Sequence, residues 1–76
     1  TGETKAVIDS VYIELNKYLD YKGYIIISGS TAEVSAREKL IRKAIYSRKH
    51  DLTRVKFIKN ITKTTIKTEF WIDSVK

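Results

Sequence analysis

The chain has 76 residues, with 15 Lys and Arg against 9 Asp and Glu, one His and no Cys. This length allows a single domain, residues 1–76, with a small core, and the lack of Cys excludes disulfides, a thiolate nucleophile and Cys-ligated zinc. The net charge of +6 favours polyanions as partners, and no apolar run reaches the roughly 18 residues that a membrane span needs.

The first predicted element is an amphipathic helix within residues 4–22. Its apolar residues recur at the spacing of one helix face, namely Ile8, Val11, Leu15, Tyr18 and Leu19. The alternation of Val11, Ile13 and Leu15 would equally suit a short strand. Thr4 is the predicted N-cap, because its hydroxyl can accept a hydrogen bond from the first turn, and Gly23 is the predicted end of the helix.

A short strand and a second helix are predicted next. Residues 24–28, YIIIS, are mostly β-branched and apolar on both faces, which indicates a buried strand. Ser30 and Glu33 then have the spacing of a capping box, so we predict a helix over about residues 31–47. The apolar stripe of this helix consists of Val34, Leu40, Ile41, Ala44 and Ile45.

Two further strands, each with one buried face, are predicted in the C-terminal part. Val55 and Phe57 alternate with outward-facing residues in the first strand, and Phe70 and Ile72 do so in the second. The polar link around residues 60–63 makes an antiparallel hairpin the simplest connection between them. The predicted fold class is therefore α+β, a small single domain of order α-β-α-β-β with a C-terminal antiparallel hairpin.

Charge is distributed unevenly along the chain. Residues 1–36 carry three Lys against five Asp or Glu, which gives 3 − 5 = −2. Residues 37–76 carry twelve Lys or Arg against four Asp or Glu, which gives 12 − 4 = +8. We therefore expect a folded protein with two electrically different sides, unless the fold interleaves the two halves.

The residues that catalysis or a cofactor would need are scarce. His50 is the single histidine and lies in a basic run at the end of the second helix, whereas nucleophilic catalysis needs a Ser, Thr or Cys beside a tuned base. No glycine-rich nucleotide-binding loop is present. Three acidic residues lack the three- or four-residue spacing that would pair them on one helix face: Asp9, Glu14 and Asp20. We therefore predict a protein that is not an enzyme and that uses no cofactor and no metal.

The basic residues of the second half form the predicted contact patch for DNA. The patch consists of Arg37, Arg42, Lys43, Arg48, Lys49, Arg54, Lys56, Lys63 and Lys67. Arg54, Lys56 and Lys67 are expected on the outer face of the last two strands with Trp71, and cations beside an exposed aromatic suit phosphate contacts and base stacking. Two other interpretations stay open: the cations form only a solvated surface, and Trp71 only covers the edge of the core. Any DNA contact is expected to be sensitive to salt and independent of base sequence.

The start of the chain gives a further indication of how the protein is produced. The sequence begins at Thr1 and contains no methionine, which predicts removal of the initiator by proteolysis or excision from a longer protein. Together with the length, the lack of Cys and Pro, the surplus of Lys and the frequent Ile and Tyr, this start resembles the mature internal head proteins of T4-like bacteriophages. The resemblance covers the whole chain and rests on no short motif.

The resemblance implies a definite role. Such proteins are trimmed inside the assembling capsid, packaged in the virion with the genome and injected into the host cytoplasm. The resemblance further implies that the protein protects phage DNA by binding and inhibiting a host restriction endonuclease directed at glucosylated DNA.

An inhibitor that imitates DNA should be acidic, whereas this chain is basic. We therefore expect the two halves of the chain to bind different partners. The basic half would stay among packaged phosphates by non-specific electrostatics, and no membrane partner is expected. The enzyme would be bound by four residues, namely Asp9, Glu14, Asp20 and Trp71. The alternatives are a small basic nucleic-acid-binding protein or transcriptional regulator, and an interaction domain cut from a larger protein.

Overall fold

The computed structural model describes residues 2–74, with side chains from residue 5 onward. The elements are α1 (Gly2–Lys17), β1 (Tyr21–Gly29), α2 (Thr31–Ser47), a short 3₁₀ helix (Leu52–Arg54), β2 (Val55–Ile61) and β3 (Lys67–Ser74). The α+β class and the order α-β-α-β-β are thereby confirmed. The start at Thr1 lies outside the described residues.

The three strands form one mixed sheet of order β2-β1-β3. β1 runs parallel to β2 and antiparallel to β3, so α2 is the crossover helix of a βαβ unit. β1 is thus the central strand, which agrees with its apolar sequence.

The last two strands run antiparallel to each other, as predicted, but they are not hydrogen-bonded neighbours because β1 lies between them. Residues 62–66 cross the end of β1, where the Thr62 N–H donates to the Gly29 carbonyl at 2.8 Å. Gly29 has φ +150°, and a Cβ there would lie 3.2 Å from the Ile66 Cα. The crossing therefore requires a glycine at this position.

Both helices pack on the same face of the sheet. That face of β1 presents Gly23, Ile25 and Ile27, all buried. The core between sheet and helices is formed by Ile8, Val11, Tyr12, Leu15, Ile25, Ile27, Val34, Ile41, Ala44, Ile45 and Val55. The molecule is thus a two-layer structure, with helices on one side of a three-stranded sheet.

The first helix departs from its predicted boundaries. It begins at Gly2, so the predicted N-cap at Thr4 is wrong, and it ends at Lys17. Tyr18 and Leu19 therefore do not continue its apolar face, and Leu19 is 85% exposed. Gly23 does not end the helix but lies inside β1, where a Cβ would come within 2.9 Å of Val55 Cγ1 of β2 and 3.3 Å of Leu15 Cδ1 of α1.

The second helix matches the prediction in its range and its N-cap. The Ser30 hydroxyl accepts from the Glu33 backbone N–H at 3.3 Å and donates to the Glu33 carboxylate at 2.9 Å. Four residues of the predicted stripe are buried, whereas Leu40 is 45% exposed.

The end of α2 has a geometry that usually needs glycine. Lys49 follows the helix with φ +61°. Its N–H donates to the Tyr46 carbonyl at 3.0 Å, and the His50 N–H donates to the Ile45 carbonyl at 3.1 Å. These are the two hydrogen bonds of a Schellman motif, in which the left-handed residue is commonly glycine.

Candidate docking surface

The second face of the sheet carries no helix within residues 2–74. We call this surface the open face; its side chains alternate with those that meet the helices. β1 contributes Lys22, Tyr24, Ile26 and Ser28, β2 contributes Lys56, Ile58 and Asn60, and β3 contributes Lys67, Glu69, Trp71 and Asp73.

Strand register arranges the open face in rows. Tyr24 is paired with Lys56 on one side and with Trp71 on the other. In the next row Ile26 is paired with Ile58 and with Glu69. Two aromatic and two aliphatic side chains therefore form a continuous apolar centre, in which Trp71 is 56% and Ile58 39% exposed. A shallow groove runs over this centre and is lined by Tyr24, Ile26, Ile58, Trp71, Ile72 and Asp73.

The rim of the open face carries both signs of charge. Three lysines and two carboxylates give 3 − 2 = +1, and Lys67 Nζ lies 4.0 Å from Glu69 Oε1. An apolar centre within a polar rim is the usual layout of a protein-binding surface. The mixed rim differs from the continuous positive surface that backbone contacts with DNA require.

The arginines of the predicted DNA-contact patch all make contacts within the protein. Arg37 donates to the Thr68 hydroxyl of β3 at 2.9 Å, and Arg42 donates to Glu38 at 2.7 Å while lying 4.3 Å from the centre of the Phe57 ring. The hydrogen bond from Arg42 is the main cause that lowers the pKa of Glu38. These two guanidinium groups thus hold α2 against the sheet.

Arg54 lies elsewhere than predicted. It belongs to the 3₁₀ helix instead of the outer face of β2, and its Nη2 donates to the carbonyls of Leu15, Tyr18 and Tyr21 at 2.7, 3.2 and 3.0 Å. The guanidinium therefore satisfies carbonyls at the end of α1 and the start of β1.

The lysines of the predicted patch are exposed but lie on three separate parts of the surface. Lys43 and Lys49 belong to α2 and the residues that follow it, Lys63 to the link between β2 and β3, and Lys56 and Lys67 to the open face. The patch is therefore not one continuous surface.

The four residues predicted to bind the enzyme are not brought together. Trp71 is on the open face, whereas Asp9 and Glu14 belong to α1 on the opposite side of the sheet. Asp20 lies in the turn after α1, and Glu14 is exposed with its Oε1 3.5 Å from Lys17 Nζ. Of the four, Trp71 lines the groove of the open face.

Asp9 is instead the centre of a contact between α1 and the end of α2. Its carboxylate accepts two hydrogen bonds from the Arg48 guanidinium and lies 2.9 Å from His50 Nε2. The Arg48 hydrogen bonds, followed by that of His50, lower the pKa of Asp9 to about 2. The His50 ring stacks on Tyr12 with centroids 4.2 Å apart, and the Tyr12 hydroxyl donates to the Asp51 carbonyl at 2.6 Å. Burial raises the pKa of Tyr12 to about 12.

The fold interleaves the two halves of the chain. β1, from the less basic half, lies between the two strands of the basic half, and Asp9 of the first half binds Arg48 of the second. Because the fold interleaves the two halves, their difference in charge does not predict two electrically different sides of the protein.

Comparison with protein families, with characterised proteins and with solved structures gives no match to this chain.

The described residues contain neither a helix able to span a membrane nor a metal-binding group. No helix within residues 2–74 combines the length and apolar character needed to cross a membrane. Among the side chains described, no group of three or more His, Asp or Glu residues is placed to hold a metal ion.

The sequence interpretation missed three residues of the open face, namely Tyr24, Ile26 and Ile58. The strand YIIIS was expected to be buried on both sides, but two amphipathic helices cover only one face of this sheet. The number of predicted helices was the signal that one face would stay uncovered.

Proposed function

We propose that this protein is a non-enzymatic inhibitor that binds a host restriction endonuclease directed at glucosylated DNA, as its resemblance to the internal head proteins implies. It is packaged with phage DNA in the virion and acts in the host cytoplasm after injection. The observation that supports direct protein binding is the open face, with Trp71 exposed in an apolar centre and charges of both signs around it.

Trp71 is the anchor of this interaction. Exposed aromatic residues at the centre of an apolar patch dominate the binding energy of protein interfaces, whereas charged rims contribute mainly to specificity and association rate. Tyr24 stands beside it in the same row and Ile26 lies in the next row, and together they supply the surface that excludes water around the anchor.

The test is an inhibition assay with glucosylated DNA and an endonuclease that cuts it. Trp71→Ala should raise the concentration for half inhibition by about thirtyfold or more, the loss expected for a hot spot of about 2 kcal/mol. Tyr46→Ala is the matched control, because Tyr46 is an aromatic side chain of α2 that is 79% exposed and distant from the open face. Equal inhibition by both variants, or no inhibition by the unmodified chain, contradicts the proposal.

A second candidate function is non-specific nucleic-acid binding. It is favoured by one row of the open face, in which Lys56, Tyr24 and Trp71 stand side by side, because bases stack on aromatic rings while lysines contact phosphates. Quenching of the Trp71 fluorescence by a single-stranded oligonucleotide, weakening steeply as salt is raised, would support it. Unchanged fluorescence at low salt would remove it.

A further inference from the structure

We propose that the open face also binds a second copy of this chain, forming a weak two-fold dimer that covers this surface at high protein concentration. This self-association is separate from enzyme inhibition. The distribution of charge across the open face supports it, and the area of that face limits its strength.

The two edge strands carry opposite charge on the open face. β2 contributes the cation Lys56 and the neutral residues Ile58 and Asn60. On β3, Trp71 stands between two carboxylates, Glu69 and Asp73, two residues before and after it. With Lys67 included, β3 contributes 1 − 2 = −1 and β2 contributes +1.

This distribution is self-complementary under one particular two-fold axis. An axis parallel to the strands, between two face-to-face sheets, places β2 of each copy over β3 of the other. Lys56 then lies over Trp71 of the second copy, within reach of the carboxylates on both sides of that ring. A lysine above an indole ring and beside carboxylates combines cation–π attraction with ion pairing.

The same axis places the other rows of the face. Glu69 lies over Ile58 of the second copy, one row from that copy's Lys56, which its carboxylate can reach. Tyr24 and Ile26 of the central strand meet their own counterparts near the axis, which buries the apolar centre. Lys67 lies over Asn60 of the second copy, since both belong to the row of Ser28. Lys22 approaches its counterpart at the end of the face, but its strand neighbour Asp73 stands beside it in each copy.

The area of the face predicts weak association. Three strands about 4.8 Å apart, with up to about eight residues at about 3.3 Å each, cover roughly 14 by 26 Å. This flat area of roughly 360 Å² per copy is below the roughly 800 Å² per partner of a stable interface, so association is expected only at high protein concentration. Dilution therefore separates the copies and exposes the face for another partner.

The first measurement is sedimentation equilibrium of the unmodified chain from about 10 µM to about 1 mM, a range that brackets such weak association. The apparent mass should rise from 8.8 kDa towards twice that value. Because Trp71 is the single tryptophan, its emission should shift to shorter wavelength over the same range. A mass that stays monomeric throughout overturns the proposal.

The second measurement is a charge exchange that identifies the arrangement. Lys56→Glu makes both edges of the face acidic, and the double variant Glu69→Lys with Asp73→Lys makes both edges basic. Each alone should associate at least about tenfold more weakly than the unmodified chain, and an equimolar mixture should recover association. Association of the mixture no stronger than that of either variant overturns the proposed arrangement.

The control variant is Lys43→Glu, which makes the same charge change on α2, away from the open face. It should leave self-association unchanged, and an equal loss from Lys43→Glu would overturn the proposal. Circular dichroism confirms that each variant is folded. Enzyme inhibition is assayed far below the dissociation constant of the dimer, so failure of either proposal leaves the result for the other intact.

Discussion

The two faces of the sheet are built from the same strands and differ in what covers them. Ile25 and Ile27 point towards the helices and are at most 1% exposed. Ile26, between them, points to the open face, where its row partner Ile58 is 39% exposed. Because side chains alternate along a strand, consecutive isoleucines have different roles. Ile25 and Ile27 stabilise the fold, whereas Ile26 is available to a partner.

The difference between the faces also explains where the charges act. On the covered side, Arg37 and Arg54 donate hydrogen bonds to neighbouring elements, and Arg42 lies over the Phe57 ring of β2. On the open side, Lys56 is exposed and has no such contact among residues 2–74. Residue type alone did not separate these roles, since all four cations belong to the predicted DNA-contact patch.

The largest expected effect comes from truncating one isoleucine on each face. Ile27→Ala should lower the free energy of unfolding by about 3 kcal/mol, because it removes a fully buried side chain from a small core. Ile26→Ala should lower it by less than about 1 kcal/mol, since Ile26 is already partly exposed. Urea denaturation followed by circular dichroism measures both.

The milder change Ile27→Val serves if Ile27→Ala does not fold, with an expected cost of about 1 kcal/mol. An equal loss of unfolding free energy from truncation of Ile26 and of Ile27 would contradict the difference between the two faces. That outcome would mean that the open face is covered in the isolated chain.

Much of this fold could be predicted from local patterns. The range of α2 and its cap at Ser30 follow from helical spacing and a capping box, both of which act within a few residues. The position of β1 between β2 and β3 and the contact of Asp9 with Arg48 and His50 could not be predicted. The strand pairings join residues 32 to 53 positions apart, from 55 − 23 to 74 − 21, and the Asp9 contacts join residues 39 and 41 positions apart. No local pattern specifies which of these residues will meet.

The next effect distinguishes a structural cation from an exposed one. Arg54→Ala should lower the free energy of unfolding by about 2 kcal/mol, because it removes the charged donor to the carbonyls of Leu15, Tyr18 and Tyr21. Lys56→Ala, two residues later, should change it by no more than about 0.5 kcal/mol. Thermal denaturation of both variants tests this, and similar losses would contradict the assignment of Arg54 to the end of α1.

A smaller effect, a gain in the free energy of unfolding, is expected at the end of α2. Lys49→Gly should raise the free energy of unfolding by about 1 kcal/mol, because φ +61° disfavours a residue with a Cβ. Lys49→Ala is the matched control: it removes the same charge but keeps the Cβ, so it should bring no gain. A gain of the same size from both variants would point to charge repulsion instead of backbone conformation.

The smallest effect concerns the contact between the two covering helices and depends on pH. The pKa of Asp9 is lowered from 3.8 to about 2 in the folded protein, so the carboxylate stabilises the fold above about pH 4 and this contribution is lost as the pH falls towards 2. Asp9→Asn should therefore reduce the loss of stability between pH 4 and pH 2, seen as a shallower fall of the melting temperature. Glu38 and Asp51 also have lowered pKa values, so part of the fall should remain. An unchanged acid profile in Asp9→Asn would show that the Asp9 contact with Arg48 does not hold the helices together in solution.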